Sequence, residues 1–187
     1  GGSVAALNGA IASALAAMVA GLTIGKKGYE DTGEIMKHIQ TLALTQKTGF
    51  VVDIDRDSEA YNKVFDCFKL PKSTDEEKKI RTAAIQEATK FAALVPMQVA
   101  RNAYELMGII ADVAKMGNRN AVTDACVAMI SARSAVLGAL MNVRINLGSL
   151  KDRTFVEQLQ SEADELERKA CIKEKELLDA INQDLRI

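Results

Sequence analysis

The sequence predicts an all-α fold: a single domain over residues 1–187, an antiparallel helical bundle of about six helices with long Ala-rich core helices. Three observations predict it. Apolar residues recur at spacings of three and four along most of the chain, the repeat of a helix face. No segment alternates with period two over a convincing length; Phe50-Val51-Val52 is too short to outweigh the helical pattern. Hydrophobic residues make up 48% of the chain and aromatics only 4%, with no Trp. A core of Ala, Leu, Ile, Val and Met suits closely packed helices, and 187 residues are enough for one sizeable core.

The first helix follows Gly1-Gly2-Ser3 and runs through an Ala-rich stretch to Thr23. Being apolar on nearly every side, it reads as buried. Its first turn leaves free backbone N–H groups, and Gly2 and Ser3 leave room there for a polar or anionic ligand. The plainer reading is a core helix capped by Ser3. Gly25-Lys26-Lys27-Gly28 ends it. A second helix is expected from about Asp31 to Val52, with Ile35, Ile39, Leu42 and Gln46 on one stripe and His38 as a structural residue.

Asp53, Asp55 and Asp57 come next, followed by a short amphipathic segment with Tyr61, Val64, Phe65 and Phe68. The acidic spacing resembles the opening of a calcium loop. That reading fails, because Ser58 and Val64 stand where the loop needs Gly and a bidentate Glu. In a helix, Asp53 and Asp57 share a face and Asp55 points elsewhere. A carboxylate facing an Ala-lined interior is a candidate general base. The structural alternative is an acidic helix start favoured by the macrodipole.

Leu70-Pro71-Lys72 breaks the chain, and Ser73 with Glu76 or Thr74 with Glu77 fits a capping box for the next helix. Pro96 is expected to kink or interrupt that helix, with the pattern resuming from Met97 to Lys115. Met116-Gly117-Asn118-Arg119-Asn120 is a turn by chemistry, with Asn120 capping a helix from Ala121 to Leu147. Asp124, Asn142 and Asn146 are polar in this apolar run, and buried polar groups need partners or a ligand. Thr154 with Glu157 opens a long amphipathic last helix, its stripe made of Phe155, Leu159, Leu166, Ala170, Leu177 and Ile181.

Composition narrows the function. The net charge of −1 gives no basic stripe for nucleic acid. One His leaves little material for His-based metal sites or a Ser-His-Asp triad. Cys67, Cys126 and Cys171 are dispersed and read as free thiols of a reducing, cytoplasmic setting. The run from Val4 to Ile24 is long enough to consider as a membrane span, but its Ala and Gly content and its Asn8, Ser13 and Thr23 argue against one.

The ordered landmarks Gly1 to Ala6, Asp57-Ser-Glu-Ala-Tyr61, Leu70-Pro-Lys72, Arg81, Val95-Pro96, Gly117 to Asp124 and Asn142-Val-Arg-Ile-Asn146 span nearly the whole chain. By them the sequence resembles the C-terminal domain of formiminotransferase-cyclodeaminase and the methenyltetrahydrofolate cyclohydrolases. It departs from the family pattern in three ways. Tyr61 stands where that pattern has Phe, Asp53 is an extra acid, and the family's further Gly and Pro before residue 1 are missing. The resemblance implies a folate-dependent one-carbon enzyme. Its first implied reaction closes 5-formiminotetrahydrofolate to 5,10-methenyltetrahydrofolate with release of ammonia. The alternative is hydrolysis of the methenyl compound to 10-formyltetrahydrofolate, and a non-catalytic folate carrier is the competing class.

On this resemblance Asp57 is the favoured catalytic carboxylate, with Asp55 the alternative. Gly1, Gly2 and Ser3 bind substrate at the first helix start. Lys72 and Arg81 meet the folate's glutamate carboxylates. Asn118, Asp124 and Asn142 hydrogen-bond the pterin, and Asn146 is a further substrate-binding residue. No metal and no cofactor beyond the tetrahydrofolate substrate is implied. A homodimer is expected, as is a stand-alone cyclodeaminase beside a separate formiminotransferase in histidine degradation, with no nucleic-acid or membrane partner.

Overall fold

The computed structural model describes residues 1–185, so the last two residues of the expected domain lie outside it. Five long helices carry the fold: α1 (Gly2–Gly21), α2 (Gly33–Phe68), α3 (Asp75–Met116), α4 (Val122–Leu147) and α5 (Arg153–Leu185). Short 3-10 turns, Glu30–Thr32 and Arg119–Ala121, precede α2 and α4. There is no strand among the described residues. α1 packs between α2 and α4 with α3 behind it, and α5 lies across α3 and α4.

Small residues make this packing possible. α1 buries Ala5, Ala6, Ala12, Ala16 and Ala20. A Cβ at Gly9 would stand 2.7 Å from the Phe50 ring, so glycine lets α2 insert an aromatic side chain into α1. A Cβ at Gly138 would stand 3.3 Å from that of Ala5, bringing α4 close on the other side. α1 and α4 are long and apolar enough to cross a membrane by length and composition. In the bundle, 56% and 44% of their apolar windows are buried against other helices.

The helices number five rather than about six because two expected breaks are absent. The acidic segment does not separate two helices: α2 runs unbroken through it to Phe68. Nor does Pro96 interrupt α3. A proline inside a helix leaves the carbonyl four residues earlier without its N–H partner. Here that carbonyl is Ala92 O, and the Asn146 amide of α4 donates to it at 2.9 Å. A side chain from a neighbouring helix thus satisfies the group that Pro96 orphans.

Several local expectations shift by a residue or two. Helix α1 starts at Gly2 with Gly1 at its cap position, so Ser3 lies in the first turn and is no cap. The buried stripe of α2 is Met36, Ile39, Ala43 and Phe50, with Ile35 and Leu42 exposed. The capping box of α3 is Thr74 with Glu77: Glu77 N–H donates to Thr74 Oγ1 at 3.2 Å and Thr74 N–H to Glu77 Oε2 at 3.0 Å. Asn118, not Asn120, caps the turn before α4. Asp152, not Thr154, accepts from the first turn of α5, where Phe155 N–H donates to it at 3.1 Å. Leu159, Ala163 and Ala170 are buried on α5, with Phe155, Leu166 and Leu177 packed beside them.

Candidate active site

The start of α1 meets the middle of α2 around one carboxylate. Asp57 Oδ2 accepts from Ser3 N–H at 2.8 Å and from Ser3 Oγ at 2.9 Å. The Ser3 N–H is one of the first-turn donors that a helix cannot satisfy within itself. Asp57 therefore closes α1 from another helix, and the positive end of the helix dipole complements its charge. Ser3 Oγ also lies 3.3 Å from Ile54 O and 3.5 Å from Ser58 Oγ.

Gly2 is what allows this approach. A Cβ there would stand 2.6 Å from Asp57 Cγ and 2.8 Å from Oδ2, and nearer still to Oδ1. Any side chain at position 2 would drive the carboxylate off Ser3. Gly1 makes the third side with α4, since a Cβ there would stand 2.9 Å from Asn142 Oδ1. The Asn142 amide donates to Gly138 O at 2.8 Å, which fixes the side chain with its amide group against Gly1. Gly1, Gly2, Ser3, Asp57 and Asn142 are thus brought together from three helices.

The neighbouring acids have other surroundings. Asp55 is exposed. Asp53 is buried and paired with Arg56 at 2.8 Å. Among the described residues, no hydrogen bond reaches Asp57 Oδ1, and the residue is only half-buried. Of the three acids, Asp57 is the one joined to the glycine-rich helix start.

The other expected site residues lie elsewhere in the chain. Asn146 sits one turn beyond Asn142, but its amide is taken up by Ala92 O and Asn142 O, both at 2.9 Å. Asn118 is at the opposite end of α1: its N–H donates to Thr23 Oγ1 at 2.9 Å, and its amide donates to Leu22 O at 3.3 Å. Asp124, in the first turn of α4, is about 27 Å along that helix from Asn142 at the usual rise per residue. Neither can meet a small group bound at Asp57 of the same chain. Lys72 is exposed in the connection between α2 and α3. Arg81 clasps the end of α2, with Nη2 3.2 Å from Phe68 O and the guanidinium 5.5 Å from the Phe68 ring centroid. Phe68 is about 16 Å along α2 from Asp57.

The sequence reading missed Ile54 and Ser58 as neighbours of this site. Ser58 stood inside a recognised landmark without a role. The contact of Ser3 with Ile54 and Ser58 links residues more than fifty positions apart, and helical periodicity carries no signal for it.

Comparison with known proteins agrees with the resemblance seen in the landmarks. The family profile for formiminotransferase-cyclodeaminase matches residues 1–165. The chain is 41% identical over 170 residues to a methenyltetrahydrofolate cyclohydrolase of Methylorubrum extorquens, covering 89% of this chain and 80% of that protein. It is 33% identical to the formimidoyltransferase-cyclodeaminase of Rattus norvegicus, covering 84% of this chain and 29% of that longer protein. Among solved structures, the fold is similar to a formiminotetrahydrofolate cyclodeaminase of Thermotoga maritima. The TM-score is 0.80 at 31% identity, covering 96% of this chain and 87% of that one.

Proposed function

The chain belongs to the formiminotransferase-cyclodeaminase family, and we propose that it catalyses addition and elimination at the one-carbon unit of a tetrahydrofolate, with Asp57 transferring the proton. One observation carries this reading. Ser3 holds Asp57 Oδ2 through two donors at a glycine-lined helix start, and no hydrogen bond among the described residues occupies Oδ1. A carboxylate oriented through one oxygen keeps the other available to accept a proton.

The leading reaction is hydrolysis of 5,10-methenyltetrahydrofolate. Water adds to the cationic methenyl carbon while Asp57 Oδ1 takes a proton from it. The carboxyl then returns that proton to N5 as the C–N5 bond breaks, and the hydroxyl proton is lost to solvent as its oxygen becomes the carbonyl of the formyl group left on N10. The anionic carboxylate also complements the cationic carbon before attack. The resemblance alone put the cyclodeaminase first. The 41% identity to a cyclohydrolase covering most of both chains moves the balance to hydrolysis.

The cyclodeaminase remains the second reading, favoured by the likeness to the Thermotoga maritima cyclodeaminase over 96% of this chain. There N10 attacks the carbon of the protonated formimino group, Asp57 takes the N10 proton and passes it to the resulting amino group, and the bond from carbon to that nitrogen breaks to release ammonia and the methenyl cation. Both reactions ask for the same carboxylate at the same carbon.

A homodimer fits the surface. α1 leaves Val4, Leu7 and Ile11 exposed, and α4 leaves Val127, Met141 and Ile145 exposed, the last at 76%. Exposed apolar side chains on two packed helices are the kind of surface that a second copy can cover. Sedimentation velocity tests it, and a wild-type monomer at micromolar concentration would remove the dimer from the proposal.

The activity test uses near-ultraviolet absorbance, where the methenyl compound absorbs and the others do not. An accelerated fall with 5,10-methenyltetrahydrofolate supports the hydrolase. A rise with 5-formiminotetrahydrofolate, accompanied by ammonia, supports the cyclodeaminase. Folate binding with no change in either cuvette would replace both by a carrier.

A further inference from the structure

We propose that Tyr61 and Phe65 form a stacking platform for the aminobenzoyl ring of the substrate, beginning one helical turn from Asp57. The proposal rests on the folate reading above and names what that site recognises beyond the reacting carbon.

The face of α2 that carries Asp57 continues through Tyr61, Phe65 and Phe68, which follow at helical spacings of four, four and three. Below Asp57 this face is buried against the bundle, at Ala43 and Phe50. Above it the character changes. None of residues 61–88 is buried, so the distal halves of α2 and α3 form a hairpin without a core. Tyr61 is 68% exposed and Phe65 53% exposed. Their rings nevertheless adopt a near-parallel arrangement, with centroids 6.4 Å apart and planes 14° from coplanar. Bundle packing does not explain two ordered, exposed aromatic rings beside a half-buried carboxylate.

The chemistry of the substrate explains them. In both reactions the one-carbon unit is bonded to N10 in the methenyl compound, kept there in hydrolysis and newly joined there in cyclisation, and the aminobenzoyl ring is bonded directly to N10. If Asp57 works at that carbon, the ring lies within a few ångströms of it. Tyr61 is about 6 Å farther along the helix axis, the reach at which one flat ring covers another. The benzoyl group then points along α2 toward Phe65. Lys69 Nζ lies 4.8 Å from the Phe65 ring centroid, though it also pairs with Asp66 at 2.7 Å. The carboxylates beyond the benzoyl group would meet this cationic end of the strip. Continuity with Asp57 and the sign of the charge at the far end both point to the aryl tail of the same substrate, not to an apolar partner.

Calorimetric titration tests this on the full chain with three probes: 5-formyltetrahydrofolate, p-aminobenzoylglutamate, and 6-methyltetrahydropterin, which lacks the aryl tail. Tyr61→Ala should weaken binding of the first two by about fivefold to tenfold, the scale of an aromatic pair, and leave the third unchanged. Tyr61→Phe should bind all three as wild type does. Because Tyr61 is exposed, the Ala variant should also keep the wild-type melting temperature. If wild type binds none of the probes, the folate reading itself fails and takes the platform with it. If wild type binds 5-formyltetrahydrofolate and Tyr61→Ala binds it equally well, the platform alone is overturned. It is also overturned if Tyr61→Ala weakens all three probes alike, or if it turns a wild-type dimer into a monomer, which would assign this face to a second copy.

Discussion

Replacing Asn146 by Ala should expose how α3 survives its proline. Pro96 has no N–H, so the Ala92 carbonyl has no helical partner and depends on the Asn146 amide at 2.9 Å. Ala92 is buried, and water cannot easily substitute. Leaving a buried carbonyl unpaired costs about 1–3 kcal/mol, and for a chain of this size each kcal/mol lowers the melting temperature by about 2–4 °C. The second substitution, Pro96→Ala, restores an N–H that can reach Ala92 O within the helix. In that background Asn146→Ala should lose only its packing and its bond to Asn142 O. The assay is urea and thermal unfolding of four proteins: wild type, each single variant and the double variant. The expected coupling is at least about 1 kcal/mol, the scale of residues sharing a network. Equal costs of Asn146→Ala in the two backgrounds would refute the account and return Asn146 to the list of free polar groups available to a ligand.

Three further outcomes follow from the site and its frame. Gly2→Ala places a methyl group on the Asp57 carboxylate and should lower kcat/KM by about a hundredfold, as a misplacement near 1 Å does, whereas Gly49→Ala, with open space at its Cβ, should stabilise α2 by about 0.5–1 kcal/mol. Unchanged kinetics in Gly2→Ala would mean that Asp57 need not sit against Ser3. Asp57→Asn should lower turnover by about a hundredfold or more with the fold intact, and Asp55→Asn should leave turnover unchanged; the opposite ranking would move catalysis to the exposed acid. Arg101 donates to both carboxylate oxygens of Glu162, at 2.6 and 2.7 Å, and this bonding holds Glu162 below the usual carboxylate range. A depressed pKa gives stability above the ordinary Glu value that is lost as pH falls through the folded value. Both side chains are more than a third exposed, so Glu162→Gln should cost below about 1 kcal/mol at neutral pH, with the two stability curves converging in acid; a constant gap across that range would contradict the pairing.

The sequence revealed the helical class through its periodicity, and it singled out the glycine-rich start and the acidic segment, which the fold brings into contact. Helical phase put Asp55 on a different face from Asp53 and Asp57 without deciding which acid meets the glycine-rich start, and the contact with Ser3 falls to Asp57. What it could not reveal were the contacts between distant segments, and those set the count of helices and the membership of the site. Pro96 was expected to break α3 because its cost is local, while its remedy, Asn146, comes from another helix fifty residues later. Ser3 was expected to cap α1 because capping is ordinarily local, yet the acceptor comes from Asp57. Asn118 and Asp124 belonged to the same landmark pattern as Asn142, but α4 holds the two ends of that pattern about 27 Å apart.

These cases share one physical cause, and it bears on how the site should be read. In each, a polar group that secondary structure leaves unsatisfied is met by a side chain from a packed neighbour: Ala92 O by Asn146, Ser3 N–H by Asp57, and Leu22 O by Asn118. Two of the three donors or acceptors are amides, which have neither charge nor a proton to exchange at neutral pH, and their role ends with the hydrogen bond. Asp57 alone among them is a carboxylate, and it alone faces a position where a single Cβ would displace it. A cap could be supplied by Ser, Thr or Asn without requiring glycine opposite. The combination of an ionisable cap and an enforced glycine is therefore more than helix termination needs. That excess is the physical ground for placing the chemistry at Asp57 rather than at the other polar residues of the landmark pattern.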